Sequence, residues 1–303
     1  MTKQILLFPG QGSQYLGMGK SLAETHAGAK RLLDEANAVL GFDLADIMWN
    51  GPEEKLTSTD NTQPALFTVS MMAYEWLKER NLSAAYAAGH SLGEYSALCA
   101  AGVFSFADGL KLVRLRGELM AKAGVAKPGA MSAILGLERD KLEEALVAAS
   151  ASGIVVAANF NSLTQIVISG EAAAVEAAEK LCADAGAKKV VRLAVSGAFH
   201  SPLMEYAVDH FKPALDAVAF HAPSVPVIQN VTAREESDPA ALKAGLLKQL
   251  TAPVRWVESM QHAHTLGVSE GLEVGAGKVL MGLLRGITRD IKVTPVEKPE
   301  DLV

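Results

Sequence analysis

Ala84-Ala85-Tyr86-Ala87-Ala88-Gly89-His90-Ser91-Leu92-Gly93-Glu94-Tyr95-Ser96-Ala97-Leu98-Cys99-Ala100-Ala101 is the stretch on which the fold turns. Ala84–Ala88 is a short apolar run that predicts a strand, and Leu92–Ala101 predicts a helix. Between them Gly89-His90-Ser91-Leu92-Gly93 matches G-x-S-x-G, the pattern of a serine at the apex of a sharp strand-to-helix turn. Such a turn strains the serine backbone and brings the flanking chain so close that Cβ atoms there would collide, hence a glycine on each side. The helix behind the serine offers its positive N-terminal end to developing negative charge. The bland alternative is a tight glycine turn with a capping serine.

Working outward, apolar runs alternate with amphipathic stretches, the pattern of an α/β domain with a largely parallel sheet. Strands are predicted at Gln4–Phe8, Val225–Gln229, Gly271–Val274 and Lys292–Val296. Helices are predicted at Ala29–Leu40, Pro64–Arg80, Phe106–Ala123, Pro202–Ala217 and Val254–Thr265, with Pro64 and Pro202 in first turns. Residues 129–195 read differently. Met131–Leu135, Ile154–Asn159, Gln165–Ser169 and Val190–Val195 predict strands, with helices at Glu138–Ser150 and Glu171–Ala185. That βαββαβ order is ferredoxin-like. The expected organisation is therefore a core of residues 1–126 and 198–303, interrupted by a subdomain of residues 127–197 that Lys127-Pro128-Gly129 enters and Ser196-Gly197 leaves.

Half of the 303 residues are hydrophobic, which excludes a disordered chain. The net charge of −6 and the lack of any Lys/Arg block argue against nucleic acid as a partner. Cys99 and Cys182 fall in no CxxC pattern and read as small core residues, so neither a disulfide framework nor a metal site is expected. The apolar run Ile5–Phe8 before Pro9-Gly10 is too short for a signal segment or a membrane span, and a soluble cytoplasmic protein, monomeric and off the membrane, is expected.

A serine hydroxyl needs an adjacent base to act as a nucleophile. Of the seven histidines, His26, His210, His221, His262 and His264 sit in helical or polar stretches and read as surface residues. His200 stands between a strand and a helix in Val195-Ser196-Gly197-Ala198-Phe199-His200-Ser201-Pro202 and is the candidate base, while His90 is too near Ser91 in the chain and is read as lining the pocket. Asp140, Glu143 and Asp184 are acids in chain order between Ser91 and His200, but they fall on solvated helix faces; a backbone carbonyl at Nδ1 can orient the imidazole instead. Gly10-Gln11-Gly12-Ser13-Gln14 follows the first strand with free amides, which suit either a phosphate cradle or an oxyanion hole. With a serine elbow elsewhere, the amides of Gln11 and Leu92 form the economical oxyanion hole. Arg116 lies beside the Leu112, Leu115 and Leu119 stripe of an amphipathic helix, and is either a surface arginine or a carboxylate clamp near the serine.

Taken together these segments resemble the malonyl-CoA:acyl carrier protein transacylases. The resemblance spans nearly the whole chain. It rests on Gly10–Gln14, Thr62-Gln63-Pro64-Ala65, Gly89–Glu94, Arg116-Gly117, Gly129-Ala130-Met131, Asn159-Phe160-Asn161-Ser162, Gly197–Ser201 and Glu273-Val274-Gly275 in order. It implies a hydrolase-like α/β core with a ferredoxin-like subdomain, and malonyl transfer from coenzyme A to a holo acyl carrier protein for fatty acid or, alternatively, polyketide synthesis, with no cofactor. It implies Ser91 as the acyl-bearing nucleophile, His200 as base and acid, Gln11 and Leu92 as oxyanion-hole donors, and Arg116 as carboxylate ligand. It further implies that the Gln249 carbonyl orients His200, that Gln63, His90 and Asn161 line the pocket, and that Phe199 favours malonyl over methylmalonyl groups. Two rivals share parts of this pattern: a serine hydrolase of thioesters or esters, from which Arg116 and the missing acid distinguish it, and a non-catalytic acyl- or carrier-protein-binding module, against which the Ser91 and His200 pair speaks.

Overall fold

The computed structural model describes residues 3–80, 83–195 and 197–302. Its strands are β1 (Lys3–Phe8), β2 (Tyr86–Gly89), β3 (Gly129–Leu135), β4 (Val155–Ser162), β5 (Gln165–Glu171), β6 (Lys189–Arg192), β7 (Val227–Ile228), β8 (Glu235–Glu236), β9 (Val268–Val274) and β10 (Lys292–Val296). Six form one sheet in the order β10-β9-β1-β2-β7-β8. All its pairings are parallel except β7 with β8. The central strand β1 is apolar on both faces, with Ile5, Leu6, Leu7 and Phe8 all buried, because helices cover both sides of a parallel sheet.

The other four strands form an antiparallel sheet in the order β4-β5-β3-β6, the ferredoxin-like arrangement. Strand alternation assigns its two faces. Ala130 and Ile134 of β3, with Ile166 and Ile168 of β5, pack under the helices Arg139–Ala149 and Ala172–Asp184. Met131, Ala133 and Val167 point the other way and join the main core. The protein is thus an α/β hydrolase-like core carrying a ferredoxin-like subdomain, and the inner face of the small sheet overlooks the carboxyl ends of the large one. The two are stitched where Phe160 N–H donates to the Val254 carbonyl (2.9 Å) and Val254 N–H to the Ala158 carbonyl (2.9 Å). Ser196, the expected exit from the inserted segment, lies outside the described residues.

Four local readings are revised. The helix expected to begin at Pro64 begins at Thr59 and runs to Lys78, with Pro64 inside it. Proline lacks the N–H that would meet the Asp60 carbonyl four residues back, and Arg114 Nη1 supplies that donor at 2.7 Å. The strand expected over Val225–Gln229 is only β7, because Gln229 and Asn230 turn away to bond elsewhere. The strand expected over Val190–Val195 stops at Arg192; Leu193 N–H still donates to the Met131 carbonyl (2.9 Å), and Leu193, Ala194 and Val195 line a cleft. The short helices Lys20–Thr25, Leu44–Asn50, Glu53–Thr57, Pro239–Gln249 and Val279–Arg285 were not anticipated. The four of five to seven residues are too short for an apolar period to stand out, and Pro239–Gln249 buries only two apolar side chains, Leu242 and Leu246. Among the described residues no helix is long and apolar enough to cross a membrane.

Candidate active site

Strand β2 ends at Gly89 and the helix Gly93–Ala100 starts four residues later, so the chain must reverse over His90, Ser91 and Leu92. Ser91 consequently has φ 51°, in the left-handed region that costs a non-glycine residue on the order of 1–3 kcal/mol. A Cβ on Gly89 would stand 1.9 Å from the Gly93 carbonyl carbon, and one on Gly93 would stand 2.0 Å from the Phe8 carbonyl oxygen. Asn230 clamps the turn from outside: its Oδ1 accepts from Ser91 N–H at 2.7 Å and its Nδ2 donates to the Gly89 carbonyl at 2.7 Å. Two such bonds, at about 0.5–1.5 kcal/mol each, are of the same order as the strain they oppose.

Ser91 Oγ lies 2.8 Å from His200 Nε2. His200 Nδ1 is 2.9 Å from the Gln249 carbonyl oxygen, so Nδ1 carries the proton and Nε2 presents its lone pair to the serine. His200 also has a left-handed backbone, φ 55°, which turns its ring back toward the elbow. On the other side of Ser91, Arg116 Nη2 donates to Oγ at 3.1 Å and to Gln249 Oε1 at 2.9 Å, while Nη1 donates to Gln63 Oε1 at 2.9 Å. The guanidinium is only 1% exposed. The Gln11 and Leu92 amides bond to no acceptor among the described residues, and both residues line the same cleft of about 630 Å³.

Burial sets the protonation states. His200 is driven down to about 3, first by desolvation and second by the Arg116 charge, so its ring is a neutral proton acceptor at physiological pH. His90 is lowered by burial as well, and its Nε2 lies 2.8 Å from Asn161 Oδ1. Glu94, 0% exposed, is raised to about 7 by desolvation, against the pull of bonds from Asn230 N–H and Gln249 Nε2.

The structure brings Ser91, His200, Gln11, Leu92, Arg116, His90, Asn161 and Phe199 to one cleft. Gln249 stands behind it, holding His200 through its carbonyl and Arg116 through its side chain. Gln63, expected to line the pocket, does not reach it: it is 1% exposed on the inward face of its helix, behind the guanidinium. Arg116 is not a surface arginine. Asp140, Glu143 and Asp184 are exposed on the subdomain's outer helices. His26 and His262 are half-buried at the surface, where His26 caps the helix Ala27–Leu40 and pairs with Glu79, and His262 pairs with Glu235. Cys182 is buried and Cys99 half-buried, both as free thiols. Sequence reasoning missed Asn230 and the role of Glu94. Neither lies in a pattern with a mechanism attached, although the adjacency of Glu94 to the G-x-S-x-G stretch was a usable signal. Among the described residues no cluster of three or more His, Cys, Asp or Glu side chains is placed to hold a metal.

A second cleft of about 1180 Å³ adjoins the first, shares Gln11, His90, Asn161 and Val167 with it, and opens between the glycine turn and Val279, Leu280 and Leu283. Together they form a channel to a serine with a base on one side and a cation on the other. That arrangement suits acyl transfer with a charged acyl group.

The comparisons with known proteins agree. The curated "Malonyl CoA-acyl carrier protein transacylase" of Bacillus subtilis (strain 168) is 46% identical over 303 residues, covering 100% of this chain and 96% of that one. The crystal structure of an acyl carrier protein S-malonyltransferase from Vibrio cholerae superposes with a TM-score of 0.96 at 43% identity, covering 99% of each chain. A malonyl-transacylase solved in complex with its type II polyketide acyl carrier protein gives a TM-score of 0.96 at 40% identity, covering 99% of this chain and 98% of that one. The family described as "Acyl transferase domain" matches residues 5–296, and with that span and these relatives the chain belongs to the acyl transferase domain family.

Proposed function

We propose that this chain transfers a malonyl group from coenzyme A to the phosphopantetheine thiol of an acyl carrier protein, through a malonyl ester on Ser91. One observation carries the reading: Ser91 Oγ lies between a neutral imidazole and a buried guanidinium. In malonyl-CoA the free carboxylate sits two carbon–carbon bonds from the thioester carbon, within reach of a cation beside the nucleophile. A guanidinium pairs with such a carboxylate through two parallel N–H bonds.

In the first half-reaction Ser91 Oγ attacks the thioester carbon while His200 Nε2 takes its proton, and the Gln11 and Leu92 amides stabilise the oxyanion. Collapse breaks the carbon–sulfur bond, and His200 returns the proton to the leaving thiolate. In the second half a carrier thiol enters by the same channel, gives its proton to His200 and leaves as malonyl thioester, while the proton goes back to Ser91. The two thioesters are close in energy, so the enzyme equilibrates the pools. The charge on Arg116 is one cause of the low His200 pKa. A bound malonyl carboxylate offsets that charge and strengthens the base when the right acyl group is present.

Relatives named for malonyl transfer and the resolved carrier complex of one of them support the reading. Supply of extender units for fatty acid synthesis is the first assignment. The polyketide carrier in that relative's complex makes polyketide synthesis the alternative. We further read the enzyme as a cytoplasmic monomer that works without metal or redox cofactor, since every group the reaction calls on is a side chain or a backbone amide. Intact-mass analysis after mixing with malonyl-CoA, acetyl-CoA or methylmalonyl-CoA, with and without holo acyl carrier protein, tests the proposal. A malonyl adduct that moves to the carrier is the expected result, and rapid release of free malonate without transfer would make the chain a hydrolase.

A further inference from the structure

Arg116 is a fully buried cation whose hydrogen-bond partners at Nη1 and Nη2 are the uncharged oxygens of Gln63, Ser91 and Gln249. A buried charge of this kind calls for an opposite charge nearby. Glu94 is the buried carboxylate in the same network. Gln249 stands between them with its dipole aligned, accepting from Arg116 Nη2 at Oε1 (2.9 Å) and donating from Nε2 to Glu94 Oε2 (2.8 Å). Glu94 Oε2 also accepts from Asn230 N–H (3.0 Å), whereas Oε1 is buried without a hydrogen-bond partner among the described residues. A proton can therefore settle on Oε1 without displacing either bond at Oε2.

We propose that Glu94 is the resident counter-charge of Arg116, coupled to it through the Gln249 amide, and that a carboxylated acyl group arriving at Arg116 drives a proton onto Glu94. The inference rests on the clamp role given to Arg116 above. With the site empty, Glu94 is the anion that balances the guanidinium at pH values above about 7. With malonyl bound, two anions share one cation, and like charges in one buried site favour protonation of the weaker acid. The ionisable groups around Glu94 among the described residues are Arg116 on the helix Phe106–Ala126, Tyr95 beside it on its own helix, and His200 on the far side of Gln249. Its position near neutrality means that a modest push changes its state. Glu94 touches no reacting atom and is a positioning residue: it acts through Gln249 on the charge that the clamp offers.

The test loads the enzyme with malonyl-CoA or acetyl-CoA in weakly buffered solution at pH values of about 6 to 9, reads proton exchange with an indicator dye, and normalises to the acyl-enzyme measured by intact mass. Both thioesters release the same thiol, so the difference between them isolates the carboxylate. The expected result is an excess uptake of up to about one proton per malonyl-enzyme. Glu94→Gln should abolish that excess, and Glu94→Asp, which keeps the charge, should retain it. The malonyl-to-acetyl ratio of kcat/KM should fall as pH rises through the titration of Glu94, by about tenfold for each unit by which malonyl raises its pKa, and be flat in Glu94→Gln. Equal proton counts for the two thioesters, or an excess that survives in Glu94→Gln and so belongs to His200, overturn the proposal. Malonyl loading that is indifferent to Arg116→Ala overturns the clamp and this inference together. Loading that needs Arg116 but takes up no extra proton overturns this inference alone.

Discussion

The wall of the cleft that rests on the six-stranded sheet and the wall that the four-stranded sheet supplies are chemically unlike. The first holds Gln11, His90, Ser91, Leu92, Arg116 and His200, and of these Ser91, Arg116 and His200 are tied by bonds that run through Gln249, Asn230 and Glu94. The second presents Met131, Val167, Leu193 and Val195, with Asn159 and Asn161 as its polar members. The bond from His90 to Asn161 joins them. The difference separates two tasks: bond making needs fixed charges and strained backbone, which a parallel sheet edge with helices behind it provides, whereas an added apolar surface shapes the space around the acyl chain and excludes water. Phe199, an apolar ring on the polar wall, and Asn161, a polar group on the apolar wall, are where that division is least strict.

Ser91→Ala should have the largest effect, complete loss of the acyl adduct by intact mass with the fold retained by circular dichroism. An adduct mapped to any other residue would break the assignment of chemistry to this wall. His200→Ala should slow both half-reactions by about 10²–10⁴-fold, the usual worth of a general base. A mutant impaired in one half-reaction only would reveal a second base. Because burial and Arg116 hold His200 near 3, and the working form is the neutral ring, acylation should stay level as pH falls through the range where an exposed histidine protonates. Removing the guanidinium should move that acid limb upward.

Arg116→Ala should cost malonyl transfer roughly 2–5 kcal/mol, or about 30-fold to several thousand-fold in kcat/KM, because the bound carboxylate is left desolvated and unpaired. Acetyl transfer should hold or rise. An equal fall for both thioesters would make Arg116 structural. Phe199→Ser should raise methylmalonyl use relative to malonyl by about tenfold, the worth of one methyl group in a tight pocket. An unchanged ratio would shift size selection wholly to the subdomain wall. Smallest of all, Asn161→Ala removes the bond that joins the walls, and a loss of about 0.5–1.5 kcal/mol predicts a change of a few-fold in KM for both thioesters alike. A large drop in kcat instead would place chemistry on the second wall.

Much of this was legible in the chain itself, for a physical reason. The elbow is largely a local object: Gly89 is dictated by a collision with Gly93 four residues on, Gly93 by the neighbouring strand at Phe8, and the two glycines around the serine appear in the sequence as one pattern. The βαββαβ order of residues 129–192 was equally local, carried by periods of two and of about 3.6, so the fold class followed without any long-range contact. Proximity across the chain decided the rest. Gln249 meets Ser91, Glu94 and Arg116 across more than a hundred residues, and Asn230 meets Gly89 and Ser91 over a similar gap. No spacing rule encodes such meetings, because the intervening chain can be any length that lets both sheets form. The same holds for Pro64, tolerated inside a helix only because Arg114 brings a donor to Asp60 from 54 residues away, and for Gln63, turned from the pocket to the back of the guanidinium by the face its helix buries. Backbone sterics and periodicity are written residue by residue, and so sequence determined the elbow and the architecture. Partners for buried polar groups are settled only when the core closes and water leaves, and so tertiary structure alone decided which carbonyl holds His200 and which carboxylate stands behind Arg116.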